Sequence, residues 1–187
     1  MIKSDLIIID TAKLDVILDV KYATNDNFVG TQIYQKPVVM LHINAYQALE
    51  KAVESASRMG YKLKIFDGFR PFEAQKLMYD AFPGSNYVSD PDNGIATHTR
   101  GIAIDLTLVD QNNNELDMGT AFDSFEESAH HTSFEVRDEV LKNRMLLLGI
   151  MTFAGFEFYK YEWWHYQLPN PYDYPKLHDN DAPISIM

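Results

Sequence analysis

Apolar positions recur along this chain with two different spacings. In NAYQALEKAVESASRMG, residues 44–60, Ala45, Leu49, Ala52, Val53 and Ala56 fall at helical spacing. Asn44 suits the N-cap of this helix and Gly60 its C′ position. A second helix is expected over PFEAQKLMYDAF, residues 71–82, with Pro71 in its first turn and Pro83 just beyond its end. A third is expected over about 133–153, with Val136, Val140, Leu147, Leu148 and Met151 facing the core and Gly155 ending it. LIIID (6–10), LDVILDVKY (14–22), LKIFD (63–67), residues 101–109 and FEFYKYEWWHYQL (156–168) read instead as strands. Residues 84–97 and 110–115 read as loops, and 117–132 as irregular. The Pro-rich tail after Leu168 is expected to wrap the surface. Strands and helices are mixed, with tight turns between neighbouring strands. The expected class is therefore α+β, a largely antiparallel sheet packed with helices in one domain over residues 1–187.

Composition narrows the function. A chain of 187 residues that is 46% apolar can bury a sizeable core. The formal net charge is −11, and no basic run occurs, which argues against nucleic acid or an anionic membrane as partner. There is no cysteine, so disulfides, thiolate nucleophiles and cysteine-held zinc are excluded. Any zinc would need histidines and carboxylates. The first apolar run ends at Asp10, too short for a signal-peptide core. The chain is thus expected to be soluble and to stay in the cytoplasm.

THTRGIAIDLT, residues 97–107, places Asp105 among Ile102, Ile104, Leu106 and Leu108 of an apolar strand. A buried carboxylate costs several kcal/mol unless it is paired or bound to a metal. Asp105 therefore needs a salt-bridge partner or a cation. His98 lies six intervening residues upstream, and YEWWHY (161–166) adds Glu162 and His165. Two histidines and an aspartate as ligands, with a spare glutamate as base, match a catalytic zinc site that keeps one open position.

The same segments carry a resemblance. HTRGIAID followed by EWWH is similar to the zinc-dependent D-alanyl-D-alanine dipeptidases of the VanX type. VKYATNDNF (20–28), DGFRP (67–71), AIDLTL (103–108), MGTAFD (118–123) and SAHH (128–131) follow in the family's order, over about residues 15–175. The resemblance implies a fold like that of DD-peptidases and hedgehog domains, with a zinc site on the sheet and one Zn2+ per chain. It implies His98, Asp105 and His165 as zinc ligands, Glu162 as general base and Arg70 as the cation that stabilises the oxyanion. Tyr22 and Asp123 would hold the substrate's free amino group. Some family members carry a substrate-binding serine two residues before the first zinc histidine. Here that position is Ala96, so either the neighbouring Thr97 or a backbone group substitutes, or amine binding is weaker.

The implied substrate is the dipeptide D-Ala-D-Ala, in the setting of cell-wall precursor turnover. Two rivals stand beside this. A zinc D,D-carboxypeptidase or endopeptidase acting on longer wall peptides would need an open groove rather than an amine clamp. A non-catalytic zinc-fold binding module would need neither Glu162 nor Arg70. His130 and His131 are expected to be structural or to support a neighbour, and His42 and His178 have no acidic neighbours at ligand spacing.

Overall fold

A computed structural model describes residues 4–85 and 87–187 of the chain, so the expected loop 84–97 is described except for Asn86. Among the described residues, the strands are β1 (Leu6–Ile8), β2 (Val16–Leu18), β3 (Met40–His42), β4 (Lys62–Asp67), β5 (Ala103–Val109), β6 (Glu157–Phe158) and β7 (His165–Gln167). The α-helices are α1 (Ile43–Arg58), α2 (Phe72–Ala81) and α3 (Asp138–Ala154). β1 and β3 form an antiparallel pair, and the other strands form a sheet in the order β2-β4-β5-β7-β6. Its pairs are antiparallel except β2–β4, so the sheet is mixed, with the antiparallel majority that the pattern predicts.

β5 is the centre of the sheet, and every one of its residues is buried. A strand covered on both faces has no polar alternation, which is why residues 103–109 read as a nearly continuous apolar run. α1 covers the sheet through Ala45, Ala48, Leu49, Ala52 and Ala56. These small side chains belong to one core with Leu63, Ile65, Leu106 and Leu147.

Several expectations shift at the element ends. α1 is capped by His42, whose Nδ1 accepts from the Asn44 amide, so Asn44 lies inside the helix. Gly60 takes the left-handed conformation after the helix end, as expected, with φ 83°. α3 starts at Asp138 rather than near residue 133; Arg137 is extended, and Asp138 and Glu139 occupy the first turn. Val136 consequently lies outside the helix, and Arg144 replaces it on the buried face beside Val140, Leu147 and Met151. Leu148 is only partly buried. LDVILDVKY is a strand only over Val16–Leu18, and Tyr22 sits in a 3-10 turn, Lys21–Ala23. The tail does more than wrap the surface. Ile186 is fully buried, and its amide donates to Asp179.

Candidate active site

Register builds the centre of the site. Asp67, Asp105 and His165 are direct neighbours on β4, β5 and β7. The pairing shifts between Ile65 and Asp67, a bulge that brings the Asp67 carboxylate beside Asp105. His98 arrives from outside the sheet, on the 3-10 turn His98–Arg100. Gly101 ends that turn at φ 68°, where a Cβ would stand 2.5 Å from Leu6 Cδ2. Only glycine fits both the conformation and the close approach. The turn is tied to DGFRP twice: the Arg70 amide donates to the His98 carbonyl at 3.1 Å, and His98 Nδ1 lies 2.7 Å from the Gly68 carbonyl.

His98 therefore faces inward with Nε2. That atom lies 3.2 Å from Asp105 Oδ2 and 3.1 Å from His165 Nδ1, which is itself 3.1 Å from Asp105 Oδ1. The three residues are buried, and among the described residues they form a group able to hold a metal. A tetrahedral zinc with bonds of about 2.0–2.1 Å spaces its ligand atoms roughly 3.3 Å apart. The triangle matches that spacing to a few tenths of an ångström. Its second ring nitrogens also have partners, the Gly68 carbonyl for His98 and Gln167 Oε1, 3.1 Å away, for His165. Burial alone would push the Asp105 carboxyl up, but the His98 and His165 rings hold it well below the usual carboxylate range. The donor set thus fits a dication.

Glu162 stands beside the triangle without closing it. Its Oε2 is 3.8 Å from His165 Nδ1. Burial pushes its pKa up to about 7, against the pull of His165. β7 begins only at His165, and Glu162 precedes it in a turn, with the His165 amide bonded to the Glu162 carbonyl. A regular strand would send residues three apart to opposite faces; the turn removes that conflict. Trp163 and Trp164 anchor it. Both are 2% exposed, the Trp163 amide donates to the Ala129 carbonyl, and Trp163 Nε1 donates to Thr120 Oγ1. Each such indole buries on the order of 200 Å2, about 5 kcal/mol of apolar burial.

Arg70 is buried and held by charge. Its Nε and Nη2 donate to Asp67 Oδ2 at 3.0 and 2.8 Å, and Nη1 donates to Gln75 Oε1. Tyr34 Oη donates to the other Asp67 oxygen. The guanidinium lies 5.0 Å from the Tyr22 ring centre, and Nη2 is 3.7 Å from Asp105 Oδ2. Asp105 thus has a cationic neighbour as well as a metal-ligand geometry. Gln75 and Tyr34 carry no sequence signal for this role, and Asp67 shows one only as a carboxylate three residues before Arg70.

Tyr22 Oη donates to both oxygens of Asp123, at 3.1 and 3.0 Å. Burial, then the Asp105 charge, push the Asp123 carboxyl well above its ordinary value. Asp123 has φ 61° and precedes no α-helix directly, unlike a helix cap. Thr97 is buried next to His98. Ala96 is also left-handed, φ 48°, and its amide donates to Ser89 Oγ at 3.1 Å. Tyr22, Arg70, Thr97, Asp123 and Glu162 line one cavity of about 420 Å3 together with the triangle. A second cleft, about 510 Å3, shares Asp123 but none of the triangle, and is not a centre for the same chemistry. His131 is not among the ligand group, and its ring nitrogens have no hydrogen-bond partner. No described helix is long and apolar enough to cross a membrane.

Comparisons with known proteins place the chain in a family. A protein bearing the name D-alanyl-D-alanine dipeptidase from Escherichia coli is 42% identical over 88% of this chain and 85% of its own. A protein of the same name from Enterococcus faecium is 36% identical over 84% and 91%. Among solved structures, the LD-carboxypeptidase LdcB superposes with a TM-score of 0.51 at 21% identity, over 88% of this chain and 68% of its own, a likeness of fold. The family model for peptidase M15, described as D-ala-D-ala dipeptidase, matches residues 3–182, and the chain belongs to that family.

Proposed function

We propose that this protein is a zinc-dependent dipeptidase that hydrolyses D-Ala-D-Ala to two molecules of D-alanine. The observation that carries this reading is the buried His98–Asp105–His165 triangle with the Glu162 carboxylate beside it but outside the ligand group, in the same cavity as Asp123. A bound zinc would supply a Lewis acid and a water acidic enough to react near neutral pH. Glu162, with its pKa raised to about 7, is matched to take a proton from the attacking water and return it to the leaving amine. Arg70 carries a permanent charge near Asp105 and is suited to steady the oxyanion as it forms. Asp67 and Gln75 keep the guanidinium from turning away.

Asp123 and Tyr22 form the clamp for the substrate ammonium. Burial disfavours the charged form of Asp123, and an ammonium that enters beside it supplies the partner that the charged form needs. This clamp favours a dipeptide over a longer wall peptide, which has a neutral amide at that position. The test is purified protein with D-Ala-D-Ala, N-acetyl-D-Ala-D-Ala and a tripeptide ending in D-Ala-D-Ala. Rapid release of D-alanine from the free dipeptide alone is expected. Equal or faster release from the blocked and longer peptides would overturn the dipeptidase reading in favour of a carboxypeptidase.

A further inference from the structure

The two histidines offer opposite ring nitrogens to the ligand triangle, Nε2 from His98 and Nδ1 from His165. A neutral imidazole that gives one lone pair to a metal carries its proton on the other nitrogen. For His98 the acceptor of that proton is a backbone carbonyl, Gly68. For His165 it is a side chain: Gln167 Oε1 lies 3.1 Å from Nε2. His165 is buried, so an Nε2–H without this acceptor would pay the desolvation of an unmade hydrogen bond.

Strand geometry explains why the acceptor is residue 167. On β7, residues i and i+2 point to one face. His165 and Gln167 therefore share the cavity face, and both line it. Tyr166 turns to the other side, against His131. Asp105 stands opposite His165 in the register, on the Nδ1 side of the ring. The imidazole is thus gripped between Asp105 and Gln167, with its lone pair directed at the triangle.

We propose that Gln167 is a positioning residue that fixes His165 with its proton on Nε2 and its Nδ1 aimed at the metal. This rests on His165 being a ligand. An acceptor at residue 167 raises the basicity of the ring and spares it the competing arrangement with the proton on Nδ1 facing Asp105. Removing such an outer partner typically costs 10- to 100-fold in metal affinity. A carboxylate at the same place keeps the acceptor and adds charge.

The experiment is zinc affinity by competition with a chromophoric chelator, measured for the parent, Gln167→Met, Gln167→Glu and His165→Ala. Gln167→Met, close in shape but without a strong acceptor, is expected to bind zinc about 10- to 100-fold more weakly. Gln167→Glu is expected to bind at least as tightly as the parent. If His165→Ala binds zinc like the parent, the ligand assignment fails and this proposal with it. If His165→Ala loses zinc while Gln167→Met keeps parental affinity, the proposal alone is overturned. An equal loss in Gln167→Met and Gln167→Glu also overturns it, because acceptor character would then be irrelevant.

Discussion

Replacing His131 by leucine should remove a block of acid sensitivity from this protein. His131 is 5% exposed, neither ring nitrogen has a hydrogen-bond partner, and it packs against the rings of Phe158 and Tyr166. Burial first, then the charge of Arg144, lower its pKa from 6.5 to about 4. The folded protein holds the ring neutral, whereas the unfolded chain takes up a proton more readily. The stability tied to this difference is complete above pH 6.5, is lost as the pH falls from 6.5 towards 4, and levels off below that. The whole difference is worth about 3 kcal/mol, of which about 2 kcal/mol is lost between pH 7.5 and pH 5. Urea unfolding of the parent and His131→Leu at those two pH values isolates the effect, because other titrating groups cancel in the comparison. The parent should lose about 2 kcal/mol more than the variant. Equal losses in the two proteins would refute the buried-neutral state of His131.

Glu162→Gln keeps the shape of the side chain but cannot accept a proton; zinc binding should stay normal while kcat falls roughly 10²–10⁴-fold, and activity within a few-fold of the parent would exclude the base role. Arg70→Ala should lower kcat and kcat/KM together, because the interaction matters most once the oxyanion forms; a change confined to KM would make Arg70 a binder of the ground state. Asp123→Asn should lose most dipeptide activity and narrow the preference for a free amine. An unpaired buried charge costs about 3–5 kcal/mol, roughly 10²–10³-fold or more in the parent's discrimination. An unchanged preference would move the clamp elsewhere.

The central strand and the metal triangle were legible in the sequence for the same reason. A carboxylate within an apolar run has few stable fates, and Asp105 in IAIDLTL reads as a site before any fold is known. Helix periodicity found α1, whose buried face is spelled by small and apolar residues at regular spacing, and α2, where Ala74 and Met78 are buried beside the polar Gln75. α3 was harder. Its buried face includes Arg144, which donates to the carbonyls of Met118, Ser128 and His130, an irregular stretch that no local pattern reveals. β3 was missed because three residues that pair only with β1 carry too little periodicity. The partners of the site residues were the least visible part. Tyr34, Gln75 and the Gly68 carbonyl reach the site through tertiary packing, and the Asp67 bulge depends on how β4 meets β5.

The most direct test of the account is hydrolysis of D-Ala-D-Ala before chelation, after removal of metal, and after zinc is returned in known amounts. His98→Ala and His165→Ala are measured alongside. The account predicts that activity disappears with the metal and returns in full at about one zinc per chain, since a catalytic site of this kind is built from three protein ligands. It predicts that the two alanine variants retain neither zinc nor turnover. Full activity of the metal-free protein would contradict it.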